Sequence, residues 1–60
     1  MPLVEVKLYD FRVTDESVPK IIETMTEALA ESSGAARENI QVIVQGVPAK
    51  HWGSGGKPGG

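Results

Sequence analysis

Residues Leu3 to Tyr9 alternate, with Val4, Val6 and Leu8 on one side and Leu3, Glu5, Lys7 and Tyr9 on the other. A period of two carried by β-branched residues predicts a strand buried on one face. Asp10-Phe11-Arg12-Val13 breaks the alternation, and Thr14-Asp15-Glu16-Ser17 supplies oxygens suited to a helix N-terminus, so a helix is expected to start near Thr14. Val18, Ile21, Ile22, Met25, Ala28, Leu29 and Ser32 then recur at three- and four-residue steps, opposite Lys20, Glu23, Thr24, Glu27 and Glu31. That is one apolar stripe on an amphipathic helix. Pro19 removes an N–H and crowds the carbonyl four residues back, so either the helix begins nearer Ser17 or its first turn is irregular. Gly34 predicts a stop after Ser33, because glycine accepts the left-handed conformation that ends helices.

Ala35 to Asn39 makes a short connection with room for one helical turn, and Ile40-Gln41-Val42-Ile43-Val44-Gln45 reads as a second strand, nearly apolar on both faces. Two strands joined by a helix of this length form a β-α-β unit, which makes the strands parallel and the crossover right-handed. The expected class is α+β: a single β-α-β unit followed by a short C-terminal turn or hairpin. One helix cannot cover both faces of two strands. The uncovered face, which includes Leu3, Tyr9 and Ile43, is expected to be buried by another subunit.

Composition strengthens that expectation. Sixty residues hide only about 60% of the unfolded surface, and chains this short usually need a disulfide, a metal or a partner. Cysteine is absent and histidine occurs once, so self-association is the remaining device. Six basic against eight acidic residues give a net charge of −2, without the basic stripe that nucleic acid requires. No apolar run is long enough to span a bilayer, and Met1-Pro2-Leu3-Val4-Glu5 lacks the basic, then apolar, start of a signal peptide. A cytoplasmic chain is expected, with residues 1–60 as a single domain and a flexible tail from about residue 57.

Most catalytic constellations are missing. His51 has no carboxylate at metal or triad spacing, and Ser54 lies among glycines rather than on a strand-to-helix elbow. Gly53-Ser54-Gly55-Gly56-Lys57-Pro58 lacks the spacing, the hydroxyl residue and the following helix of a phosphate loop. The chain's start is different. If Met1 is removed, as is general before a small side chain, Pro2 carries a secondary amine, the one proline nitrogen that can act as a base. An apolar site disfavours its ammonium form and lowers its pKa toward neutrality. By itself, proline after methionine equally well opens an edge strand.

Met1-Pro2 before an alternating strand, Arg12 just beyond it, an amphipathic helix, a second strand and the run Trp52-Gly53-Ser54-Gly55-Gly56 together resemble the 4-oxalocrotonate tautomerase family, from Pro2 to about Lys57. The resemblance implies a β-α-β protomer whose dimers share a four-stranded sheet and assemble by threes into a homohexamer. It implies an isomerase that moves a proton on a small α-keto acid enol or dienol without cofactor or metal, in the setting of aromatic-compound catabolism. Pro2 matches the family's general base, Arg12 the arginine that binds a substrate carboxylate, and Trp52 the aromatic wall of the pocket. An always-charged planar fork suits the second task.

The sequence departs from the family at Gln41, which aligns with a second arginine and offers only a neutral amide. Arg37, four residues earlier, is the substitute cation or a solvated arginine; Lys50 and His51 are weaker candidates. Two other readings stand beside the first: a dehalogenase, hydratase or decarboxylase on the same scaffold, or, motivated by Gln41 and the short glycine tail, a non-catalytic subunit that keeps the fold alone.

Overall fold

The computed structural model describes residues 2–59. Strand β1 spans Leu3–Tyr9, helix α1 Ser17–Ser33 and strand β2 Gln41–Val47, with short 3₁₀ turns at Asp10–Arg12, Arg37–Asn39 and Ala49–His51. A hairpin of β3, Gly53–Ser54, and β4, Lys57–Pro58, closes the chain. β1 and β2 pair in parallel over their full lengths, from Leu3 opposite Gln41 to Tyr9 opposite Val47. The β-α-β unit is as the hydrophobic pattern predicts, and of the turn or hairpin expected after it the chain forms the hairpin.

The element limits each have a local reason. α1 starts at Ser17, the later start that Pro19 left open, because Pro19 has no N–H to bond the carbonyl of residue 15. The Thr14 oxygens still serve the entry to the helix: the N–H groups of Ser17 and Val18 donate to Thr14 Oγ1 and its carbonyl, at 2.9 and 3.1 Å. The Thr14 N–H in turn donates to Ser17 Oγ at 2.9 Å, a reciprocal cap. β2 begins one residue later than expected and runs two residues further, through Gly46, because β1 continues to offer it a partner as far as Tyr9. The tail expected from about residue 57 is paired as far as Gly59: Gly53 and Ser54 face Pro58 and Lys57, and the Gly59 N–H donates to the Trp52 carbonyl at 2.6 Å. Gly55 and Gly56 both hold positive φ, the requirement of a two-residue hairpin loop of this hand. The helix ends as expected at Gly34, at φ 77°.

The interior lies between α1 and the sheet face bearing Val4, Val6, Leu8, Val42 and Val44, and it is thin. Ile40, at 9% exposure, is the one buried apolar residue among those described. Val18, Ile21, Met25 and Leu29 of the expected stripe are half-buried, whereas Ile22, Ala28 and Ser32 are exposed on its flanks. The molecule measures 39 × 26 × 15 Å, with a radius of gyration of 13.7 Å against roughly 10 Å for a compact domain of this length. Its accessible surface, 4578 Å², exceeds the roughly 3,800 Å² of a compact monomer of this size. Leu3 and Ile43 stand half exposed, at 50% each, on the face that α1 does not cover. No helix among the described residues is long and apolar enough to cross a membrane.

Candidate active site

Pro2 stands immediately before β1 and is half-buried. Its carbonyl accepts the Gln41 N–H at 3.0 Å, so the first residue of β2 anchors the Pro2 backbone. Gln41 itself is exposed and shares the uncovered face with its register partner Leu3. Pro2 and Gln41 thus lie together at one end of the sheet. The expected loss of Met1 concerns a residue outside those described.

Arg12 lies at the other end, closing the 3₁₀ turn that follows β1. This turn folds tightly onto β2 because residue 46 has no side chain: a Cβ there would come within 3.2 Å of both the Asp10 Cα and Val13 Cγ2. The Ser17 hydroxyl, which accepts the Thr14 N–H, donates to the Arg12 carbonyl at 2.7 Å and ties the turn to the start of α1. Arg12 forms no ion pair among the described residues, which leaves its guanidinium open to an external anion.

Trp52 is at the same end as Arg12, held on both sides by backbone bonds. Its N–H donates to the Ala49 carbonyl at 3.0 Å, and its own carbonyl accepts the Gly59 N–H. The link between Trp52 and Arg12 is aromatic. The Tyr9 ring meets Trp52 edge-on, with centroids 4.9 Å apart and planes at 67°, and stacks on Phe11 at 5.9 Å and 28°. The Arg12 guanidinium carbon lies 5.1 Å from the Phe11 ring centroid. The hairpin leans on the same cluster, since a Cβ at Gly59 would come within 2.9 Å of the Tyr9 hydroxyl oxygen.

The two ends do not meet within one chain. Seven strand residues separate them, which at about 3.3 Å per residue puts Pro2 roughly 20 Å from Arg12 and Trp52. Arg37 belongs to neither group. Its Nη1 donates to Glu27 Oε1 at 2.8 Å, pairing it with α1 in an exposed ion pair. Lys50 and His51 are exposed on the turn preceding Trp52. No group of three or more metal-binding side chains occurs among the described residues. A depression of 430 Å³ is lined by Glu23, Thr24, Glu27, Ala28 and Glu31 on the polar side of α1 and touches none of the expected site residues.

Phe11 and Gly46 were not singled out by sequence reasoning, and Tyr9 was named only for the uncovered sheet face. Aromatic residues two apart across the end of a strand were the available signal for Tyr9 and Phe11; the closeness of Gly46 to the turn had none.

Comparison with known proteins identifies the family to which this fold belongs. The chain matches the tautomerase enzyme family over residues 2–60. A probable tautomerase of Ralstonia nicotianae is 45% identical over 58 residues, covering 97% of this chain and 81% of the relative. The 2-hydroxymuconate tautomerase of Bacillus subtilis is 39% identical over 57 residues, covering 95% and 90%. Among solved structures, a 4-oxalocrotonate tautomerase isozyme from Methylibium petroleiphilum superposes with a TM-score of 0.81 at 36% identity, over 92% of this chain and 87% of that one. With its parallel β-α-β unit, its C-terminal hairpin and these relatives, the chain belongs to the 4-oxalocrotonate tautomerase family and is an isomerase.

Proposed function

We propose that the protein is a cofactor-independent keto–enol tautomerase acting on a small α-keto acid enol or dienol, with the Pro2 nitrogen as general base once Met1 is removed. The observation that carries this reading is the fixed position of Pro2: half-buried, against the start of β2, and held by a backbone bond rather than by a mobile loop. The free amine takes the enol O–H proton, charge moves from oxygen toward carbon, and the resulting ammonium returns a proton to that carbon. Bonds are rearranged without a net change of electrons or atoms. Arg12 binds the substrate carboxylate and draws negative charge toward it, while Trp52 helps to exclude water.

Because Pro2 lies about 20 Å from Arg12 in its own chain, the active pocket takes Pro2 from one subunit and Arg12 and Trp52 from another. The thin interior and the exposed Leu3 and Ile43 support such an assembly, a homohexamer built from three dimers. Gln41, beside Pro2, offers the substrate a hydrogen bond where relatives with a second arginine offer charge.

Replacing Pro2 with alanine, or retaining Met1 so that the nitrogen stays an amide, should lower turnover of phenylenolpyruvate by on the order of 10²–10⁴. Intact mass establishes which terminus each sample carries. Native turnover by a chain shown to retain Met1 would remove Pro2 from the mechanism, whereas no turnover of any enol by a chain with Pro2 free at its terminus would favour the alternative of a non-catalytic subunit.

A further inference from the structure

Among the aromatic residues at the Arg12 end, Phe11 has no role in the chemistry described so far. At 67% exposure it is the most exposed large apolar residue among those described, although its neighbours Tyr9 and Trp52 are more sheltered. Within one chain, folding gives little reason for a ring in that place, since it buries little area. Its contacts give one. One side of the ring stacks on Tyr9, and the Arg12 guanidinium sits over the ring at 5.1 Å, within the range of cation–π attraction.

We propose that Phe11 is a positioning residue for Arg12, part of an aromatic relay in which Trp52 orients Tyr9, Tyr9 orients Phe11 and Phe11 orients the guanidinium. An arginine on a surface turn has several rotatable bonds, and no carboxylate among the described residues holds this one in place. A flat, electron-rich surface can do so without neutralising its charge. That distinction is functional: an ion pair would compete with a substrate carboxylate, whereas a ring face leaves the N–H edges of the fork free. The relay also gives the Arg12 turn a side-chain link to the wall residue Trp52 across two contacts, so the cation and the wall move as a unit.

This proposal rests on the assignment of Arg12 to the substrate carboxylate, and its test separates the two. The Arg12 side-chain protons are followed by NMR in the native protein and in Phe11→Leu and Phe11→Tyr, and the three are assayed with phenylenolpyruvate and with its methyl ester. Loss of the ring should move the Arg12 resonances downfield in Phe11→Leu and raise KM for the acid about threefold to fivefold, with kcat near native and the ester unaffected. Phe11→Tyr, which keeps a ring face, should restore both. Unmoved Arg12 resonances in Phe11→Leu, an equal rise in KM for acid and ester, or a tyrosine variant that behaves like leucine would each overturn the proposal. Moved resonances together with a native KM for the acid in Arg12→Ala would instead refute the carboxylate role of Arg12 and leave the placement by Phe11 standing. Circular dichroism and native mass check that each variant keeps the fold and assembly of the native protein, and the unaffected ester is the internal control for both.

Discussion

The two ends of the β1–β2 sheet are built by different means. At the Pro2 end, the backbone does the positioning: one hydrogen bond, from the Gln41 N–H to the Pro2 carbonyl, anchors the residue, and the adjacent Ile40 is the most buried apolar side chain described. At the Arg12 end, side chains do it, through a run of aromatic contacts, a serine hydroxyl on the Arg12 carbonyl and a strand glycine that lets the turn lie close. A base must hold one lone pair in one direction, which a rigid strand can do. A cation that receives a substrate needs a defined place but a free edge, which ring faces provide. The two groups lie about 20 Å apart in one chain, so in the proposed mechanism neither end works without the other from a second copy.

Subunit mixing tests that division most severely. Chains carrying Pro2→Ala and chains carrying Arg12→Ala should each be nearly inactive as pure assemblies. After joint unfolding and refolding, random mixing should restore native pairs of groups at about a quarter of the pockets. Turnover no higher than the average of the two pure samples would show that each pocket is drawn from a single chain.

A smaller effect probes the Arg12 end alone. Gly46→Ala places a methyl group 3.2 Å from the Asp10 backbone and should cost about 1–3 kcal/mol of stability in chemical denaturation. It should also raise KM, because the turn bearing Arg12 must shift. A native midpoint and native KM would mean that the turn yields freely and is not held by its fit to β2.

Smallest of all is the expected effect of Glu27→Gln. The ion pair with Arg37 is exposed, so its loss should change stability by less than about 1 kcal/mol and leave kcat and KM unchanged. A rise in turnover would show that freeing Arg37 supplies the second cation that Gln41 does not.

The three main elements were legible in the sequence because their periods are unambiguous: two for Leu3–Tyr9, about 3.6 for the helix, and a β-branched run for the second strand. Their limits were less so, since Pro19 delays the helix while leaving Thr14 to cap it, and Gly46 reads as a break until β1 is seen to pair beyond it. Pro2, Arg12 and Trp52 were assigned through the family resemblance, by their places along the chain. The separation of Pro2 from the other two follows only once a parallel strand is known to run between them. The Phe11 contact depends on how a three-residue turn rotates one ring over Tyr9, and the Arg37–Glu27 pair joins residues ten apart across a helix end. Neither has a one-dimensional signature.

A body only 15 Å thick has almost no inside of its own. Positions that look superficial in one copy, Leu3 and Ile43 among them, should therefore tolerate change as poorly as the core of a larger enzyme, and a saturation scan would find the usual gradient of tolerance from surface to centre inverted on that side of the sheet.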